Sequence, residues 1–204
     1  LIQEKFKEKK IDITNYLKIV ELNSQIKLGP FEIDFITLTH STLEPNGLSI
    51  TTPEGVILHT GDWKVDPNPL IGNKVDEKKL RSIGERGVIA MICDSTNVFS
   101  PGRAGSEKDV RESLLKIISS QKKRVLVTSF ASNVARMESI FYIAKQTKRN
   151  ISLVGRSMHR IYKAARQCGY LKDLLEPVDP RDASKISKDR IIFLCTGSQG
   201  EPMG

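Results

Sequence analysis

The sequence predicts an α/β protein in which a mainly antiparallel sheet is followed by a doubly wound parallel sheet. Up to about Gly61, short apolar strands follow one another with turn residues between them. From about Asp76, apolar strands alternate with amphipathic helices instead. Successive strands favour antiparallel pairing, whereas regular strand-helix alternation favours a parallel sheet. A length of 204 residues allows one domain or two small ones.

Two sequence patterns predict the antiparallel half. Residues 31–35 alternate apolar and polar side chains, which is typical of a half-buried strand. Residues 47–52 and 55–59 read as two strands of a hairpin, and Pro53, Glu54 and Gly55 supply its turn.

The second half begins with a predicted helix at 77–86 and a strand at 88–93. Ser106 and Asp109 have capping-box spacing and predict the start of a helix, on which Val110, Leu114, Leu115 and Ile118 share one face. The later predicted elements are strands at 124–127, 151–154 and 191–195, a helix at 133–146, and a helix from 158 that ends at Gly169.

Four loops rich in glycine, serine and asparagine follow the predicted strands of this half, at residues 94–97, 129–133, 155–157 and 196–200. Ligands of doubly wound sheets bind at the carboxyl ends of the strands. Backbone N–H groups in such loops suit an anion such as phosphate. Caps and turns use the same residues, so the prediction depends on all four loops sharing one edge.

The composition favours a globular protein, with 39% hydrophobic and 27% charged residues. No apolar run reaches the roughly 18–20 residues of a membrane span, and the Lys-rich start is unlike a signal peptide. We therefore expect a cytoplasmic protein without a membrane partner. The net charge of +8 is compatible with a polyanionic partner, although a generally Lys-rich composition gives the same excess.

The cysteines argue against a disulfide framework and against a zinc ribbon. Cys93, Cys168 and Cys195 are odd in number, far apart and without a CxxC pair. Cys93 and Cys195 end apolar runs, so we expect them to be buried, reduced thiols.

Two of the ligand-type residues follow predicted strands. His40 comes after Thr39, and Asp62 comes after the strand at 55–60. If these strands are neighbours, an imidazole and a carboxylate converge, which suits zinc or manganese, and a carboxylate can bridge two ions. A hydrogen-bonded or solvent-facing histidine is the alternative. We expect His59 to support the site from outside the ligand shell and His159 to lie on the surface.

The stretches 38–41 (LTHS) and 58–64 (LHTGDWK) resemble the third and fourth metal motifs of the metallo-β-lactamase superfamily. Four later stretches resemble, in order, segments of ribonuclease J-type enzymes with a β-CASP domain: 93–97 (CDSTN), 128–136 (TSFASNVAR), 154–158 (VGRSM) and 195–202 (CTGSQGEP). The resemblance implies the C-terminal part of a first metallo-β-lactamase segment at 1–104, from an αββα sandwich, and an incomplete β-CASP domain at 105–204.

The resemblance also implies roles for individual residues. His40 would bind one metal ion, Asp62 would bridge two, and Asp94 would complete the catalytic set by hydrogen bonding nearby. Residues in the later loops would contact RNA or its 5′-phosphate: Ser132, Asn133, Arg156 and Ser157. The family's H-x-H-x-D-H motif is expected before Leu1 and its later histidine motifs after Gly204. We therefore expect an internal fragment that is inactive by itself.

The activity implied by the resemblance is that of a metal-dependent ribonuclease of RNA processing and decay, acting 5′-to-3′ and internally. Its cofactors would be two divalent ions, zinc or alternatively manganese, with a metal-bound hydroxide attacking the phosphodiester. Its partners would be single-stranded RNA with a 5′-monophosphate and further copies in a homodimer or homotetramer. Two alternatives stay open: a small-molecule hydrolase of the same superfamily, and a non-catalytic module that binds RNA or nucleotide.

Overall fold

The computed structural model describes residues 2–198 and Gly200. It forms two compact units: one is Leu17–Ser106, and the other combines the described parts of Leu1–Tyr16 and Glu107–Gly204. The α/β prediction is confirmed, since a mainly antiparallel sheet lies in the first unit and a parallel sheet in the second. The division at residues 104 and 105 into two family domains stays a prediction.

The strands are β1 Gln25–Leu28, β2 Phe31–Thr37, β3 Asn46–Thr52, β4 Gly55–His59, β5 Val88–Ile92, β6 Val125–Thr128, β7 Asn150–Val154 and β8 Ile191–Cys195. The helices are α1 Ile2–Glu8, α2 Glu77–Glu85, α3 Glu107–Ser119, α4 Val134–Gln146, α5 Arg156–Gln167 and α6 Pro180–Ala183, and a 3-10 turn spans Lys188–Arg190. No helix in the described part of the chain is long and apolar enough to cross a membrane.

The unit Leu17–Ser106 contains a five-stranded sheet in the order β1-β2-β3-β4-β5. The predicted hairpin is confirmed, with β3 and β4 antiparallel and Thr52 opposite Gly55. Thr52 Oγ1 closes the turn because it donates to the Gly55 carbonyl (2.9 Å) and accepts from the Glu54 N–H (3.1 Å). The core on one face of the sheet consists of Ile36, Leu38, Val56 and Ile83.

The predicted strand at 31–35 is confirmed, but its buried face is the opposite one. Phe31 keeps 41% of its surface exposed, whereas Asp34 keeps 9%. Asp34 is tolerated there because Lys79 Nζ and Arg86 Nη2 each lie 3.6 Å from its carboxylate. Lys79 also donates to the Phe35 carbonyl at 2.9 Å, so two ion pairs and a hydrogen bond fix α2 and its C-cap to β2.

β5 belongs to the five-stranded sheet, which corrects two predictions. It pairs in parallel with β4, because the helical crossover through α2 returns the chain beside that strand. The loop at 94–97 therefore leaves the predicted group of four loops on one edge. β5 is also an edge strand whose Ile89 is 62% exposed. Cys93, which follows it, is exposed rather than buried.

The other unit contains the parallel sheet β6-β8-β7, which confirms the predicted parallel pairing. Its core is built from the buried face of α4 together with the two neighbouring strands, and includes Ile140, Phe141, Ile151, Leu153, Ile192 and Leu194. The helix predicted from residue 158 begins earlier, at Arg156, and Gly169 (φ +94°) follows its C-cap as expected. Cys195 is a partly buried free thiol, and burial raises its pKa.

Candidate functional site

His40 is held beside the loop of Asp62 by the threonine that precedes it. Thr39 forms an isolated antiparallel bridge with Lys64, whose N–H donates to the Thr39 carbonyl at 2.9 Å. Thr39 Oγ1 donates to the Lys64 carbonyl and accepts from the Asp66 N–H at 3.0 Å. Thr39 is 3% exposed, so these bonds are shielded from water and fix one loop to the other.

Asp62 lies exposed in the turn that follows β4. Gly61 has φ +60°, a conformation that glycine adopts without strain, and its N–H donates to His59 Nδ1 at 3.0 Å. The imidazole of His59 therefore supports the turn that presents the carboxylate. That His59 supports a metal site from outside the ligand shell stays a prediction.

Asp94 joins the same place from the end of β5. Its N–H donates to Thr60 Oγ1 at 3.1 Å, and its carboxylate accepts from the Thr96 hydroxyl (2.6 Å) and N–H (3.0 Å). The hydrogen bonds from Thr96 lower the pKa of the Asp94 carboxyl most, and the Trp63 N–H and the charge of His40 lower it further. Three predicted motifs thus meet at one end of this sheet.

Few metal-binding side chains of the described residues surround His40. A catalytic zinc site takes about three protein ligands. Among residues 2–198 and Gly200, no group of three or more histidine, cysteine, aspartate or glutamate side chains could hold a metal ion. The carboxylate of Asp94 already accepts hydrogen bonds from the hydroxyl and the N–H of Thr96. His40 and Asp62 are therefore part of a ligand set and do not fit a complete metal centre by themselves.

In the parallel-sheet unit, three of the predicted loops do share one edge. The Ser129 N–H donates to the Cys195 carbonyl at 3.0 Å, and the Thr196 N–H donates to the Val154 carbonyl at 3.2 Å. The loop after β8 therefore lies between the loops after β6 and β7 and is hydrogen-bonded to both. Gly155 (φ +111°) packs so closely on the side chain of Thr196 that an added Cβ would overlap it.

The four predicted RNA-binding residues lie on two of these loops. Asn133 is the N-cap of α4, and its side-chain oxygen accepts from the Arg136 N–H at 2.8 Å, which leaves its amide NH2 available. Ser132 is exposed beside it. Arg156 and Ser157 are exposed in the first turn of α5, where Gly155 provides no side-chain cap. The first N–H groups of α5 are therefore not satisfied by a capping side chain.

The sequence interpretation missed the hydroxyl groups that hold the loops of the first unit. Thr39 and Thr60 each precede a predicted functional residue closely, and both are 3% exposed. A buried threonine directly after an apolar strand was the available signal. His159 lies exposed, as predicted, with its Nε2 3.0 Å from the Leu153 carbonyl.

Sequence comparison relates this chain to proteins named ribonuclease J. Residues 122–204 match the family "Ribonuclease J, beta-CASP domain". Ribonuclease J of Sinorhizobium meliloti is 40% identical over 186 residues, which cover 91% of this chain and 33% of that protein. Ribonuclease J of Synechocystis sp. is 36% identical over 207 residues, which cover 100% of this chain and 32% of that protein. The chain thus spans about a third of the length of these curated relatives.

A solved structure has the same fold at low sequence identity. It is a protein of unknown function from Enterococcus faecalis V583, with a TM-score of 0.58 and 14% identity, and the match covers 96% of this chain and 50% of that one. This likeness concerns the fold alone. By sequence, residues 122–204 match the β-CASP domain of ribonuclease J, and the chain as a whole is similar to about a third of proteins named ribonuclease J.

Proposed function

We propose that this chain is part of a metal-dependent ribonuclease that acts in RNA processing and decay, 5′-to-3′ and internally. The observation that carries the proposal is the convergence of His40, the Asp62 loop and Asp94, held by Thr39 and Thr60. The relatives named ribonuclease J, which match along nearly the whole chain, supply the reaction class.

Metal dependence is proposed for the whole protein, with two divalent ions, zinc or alternatively manganese. His40 would bind one ion and Asp62 would bridge both, since an imidazole and a carboxylate suit either metal. Asp94 would hydrogen-bond near the site rather than bind metal, because its carboxylate already accepts two hydrogen bonds from Thr96. Two protein ligands hold two metal ions only weakly when the remaining ligands are absent. We therefore expect the 204-residue chain alone to be inactive.

A metal titration tests this expectation directly. The purified chain is dialysed against zinc, its metal content is measured by elemental analysis, and RNA hydrolysis is assayed on the same sample. Less than one zinc ion per chain and no hydrolysis are expected. Two tightly bound zinc ions together with ribonuclease activity would contradict the proposal for the isolated chain.

The RNA end is proposed to bind at the loop edge of the parallel sheet. Ser132, the Asn133 amide, Arg156 and Ser157 would hold the 5′-monophosphate of a single strand. Two observations support this: the exposed guanidinium of Arg156, and the first turn of α5, which has no side-chain cap. An anion at the start of this 12-residue helix is favoured by its N–H groups and its dipole.

Binding assays with two forms of one RNA test this site. We expect Arg156→Ala to weaken binding of 5′-monophosphate RNA about tenfold and to leave 5′-hydroxyl RNA nearly unchanged, because the lost ion pair involves the terminal phosphate. Arg181→Ala is the matched control, since that side chain is 90% exposed and pairs with Asp179. Equal losses for both RNAs would assign Arg156 to general charge attraction.

The second candidate is a non-catalytic RNA- or nucleotide-binding module, and the limited donor set of the described residues favours it. His40→Ala and Asp62→Ala in the whole protein separate the two candidates. Loss of hydrolysis with intact RNA binding supports the ribonuclease, and unchanged hydrolysis would remove these residues from catalysis. The β-CASP match at 122–204 counts against a small-molecule hydrolase. A cytoplasmic location and a homodimer or homotetramer are proposed as well.

A further inference from the structure

The parallel-sheet unit carries a cleft at the edge where its strands begin, opposite the loops of Ser132 and Arg156. The segments before β6, β7 and β8 and the end of α4 form its walls, and its volume is about 820 Å³. We call it the cationic cleft; it is lined by Ser119, Gln121, Lys122, Lys123, Gln146, Thr147, Arg149, Lys188, Asp189 and Arg190.

The charge of the cationic cleft is strongly positive. Five of its lining residues are cationic and one, Asp189, is acidic. The Asp189 carboxylate accepts a hydrogen bond from Ser187, which lowers its pKa, and the charges of Arg190 and Arg149 lower it further. Within residues 2–198 and Gly200, no carboxylate lies within ion-pair distance of the three lysines of the cleft: Lys122, Lys123 and Lys188. The cleft therefore keeps an excess of positive charge.

A buried arginine fixes the walls of the cleft. Arg149 is 6% exposed, and its guanidinium donates to the carbonyls of Lys123 (3.0 Å) and Gln121. These partners are neutral, so they hold the segment before β6 in place without cancelling the charge. On the other side, the Asn150 amide donates to the Arg190 carbonyl at 3.3 Å. The cationic groups are thus mounted on a framework that is formed before any ligand binds.

We propose that the cationic cleft binds the phosphates of the RNA backbone, as a second contact outside the loop edge that would hold the 5′ end. Lysines attract phosphates as point charges and confer no base specificity. None of the described residues that line the cleft is aromatic, so they offer no platform for base stacking. The ligand is therefore the phosphodiester chain, in any sequence. This inference depends on RNA being the substrate, as proposed above.

Salt-dependent RNA binding tests the cleft. The probe is a 5′-hydroxyl oligouridylate of about 16 nucleotides, and fluorescence anisotropy is followed against salt in the presence of EDTA to prevent hydrolysis. The cleft variant is Lys122→Ala/Lys123→Ala/Lys188→Ala. The matched control removes three exposed lysines elsewhere in the unit: Lys7→Ala/Lys163→Ala/Lys172→Ala. The circular dichroism spectrum and the thermal unfolding of each variant verify its fold.

We expect the cleft variant to bind about tenfold more weakly and to lower the slope of log K against log salt by about 2, since each phosphate contact on a single strand contributes about 0.7. The control should change affinity by less than about twofold. Asp189→Asn should tighten binding about twofold because it removes the one carboxylate of the cleft while still accepting the Ser187 hydroxyl. Equal losses in the cleft variant and in the control, or an unchanged slope, would overturn the proposal.

The same assay separates this inference from the proposed function. The assay measures binding of a 5′-hydroxyl RNA and does not depend on hydrolysis. Its result is therefore the same whether or not the whole protein has nuclease activity. Arg156→Ala should not change binding of this probe. If Arg156→Ala abolishes the preference for 5′-monophosphate RNA and the cleft variant retains wild-type affinity for both forms, the cleft proposal fails and the loop-edge proposal stands.

Discussion

Gly155→Ala tests whether the loop after β7 depends on a close backbone approach to Thr196. Gly155 has φ +111° and ψ 135°. An added Cβ would lie 2.9 Å from Thr196 Cγ2 and 3.2 Å from Thr196 Cβ, and closer still to the hydroxyl oxygen. Thr196 cannot retreat easily, because its N–H donates to the Val154 carbonyl at 3.2 Å.

The free-energy cost combines two separate effects. Holding alanine at this backbone conformation costs about 1–3 kcal/mol. Overlap with the neighbouring side chain adds about 1–3 kcal/mol, as for other overpacked sites. We therefore expect Gly155→Ala to lower the free energy of unfolding of this unit by about 2–6 kcal/mol. Gly197→Ala is the matched control, since Gly197 has φ +94° in the same unit and a Cβ there meets no atom of the described residues within 4 Å.

Urea denaturation of the chain, followed by circular dichroism, measures both effects. Gly197→Ala should cost about 1–2 kcal/mol from backbone strain alone. Thr196→Ala removes the two nearest atoms, so in the double variant it should recover about 1–2 kcal/mol of the Gly155→Ala loss beyond its own effect. Equal costs for the two glycine variants, together with additivity in the double variant, would refute the close approach and leave only strain.

Three further predictions concern individual contacts. Asn133→Ala should cost about 1 kcal/mol of unfolding free energy because α4 loses its N-cap, and Asn133→Ser should recover most of it, both in urea titrations. Lys79→Ala should cost about 1–3 kcal/mol by leaving the Asp34 carboxylate poorly paired, whereas the exposed Lys78→Ala should stay within about 0.5 kcal/mol. Thr96→Val should raise the pKa of the Asp94 carboxyl toward its ordinary value of 3.8 in an NMR titration. Because the folded pKa is lowered, the stability that Asp94 contributes is present above the unfolded pKa and is lost as pH falls through the folded pKa.

Local patterns predicted the elements well where a local cause fixes them. The hairpin at β3 and β4 follows from its turn residues and apolar alternation, and the end of α5 follows from Gly169. The sequence pattern does not identify the strand that pairs with β5. Its apolar run is equally suited to either sheet, and only the crossover through α2 decides that it lies beside β4. Which sheet a strand joins is a tertiary choice that periodicity does not encode.

The buried face of β2 and the cationic cleft escaped the sequence interpretation for related reasons. Alternation reveals two faces but not which one is covered, and Asp34 is buried because Lys79 and Arg86 reach it from α2. The cleft combines short basic segments at 121–123 and 188–190 that are far apart in sequence, and each resembles an ordinary solvated turn. Parallel pairing of β6 with β8 aligns the starts of both strands and brings these segments to one edge.

The two edges of the parallel sheet offer phosphates different physical environments. At the loop edge, the proposed contacts come from backbone N–H groups, the hydroxyls of Ser132 and Ser157 and the guanidinium of Arg156, whose hydrogen bonds act at short range and require one defined position. At the opposite edge, lysines on flexible stems attract phosphates over roughly a Debye length, about 8–10 Å at moderate salt, and tolerate many positions. A terminal phosphate differs from an internal one in its free oxygens, which only the first environment can distinguish. We therefore propose that recognition of an RNA end and retention of the chain behind it lie at opposite ends of the same strands. Salt should weaken the lysine contacts more than the contacts from backbone N–H groups and serine hydroxyls, because screening acts on charge attraction over longer distances.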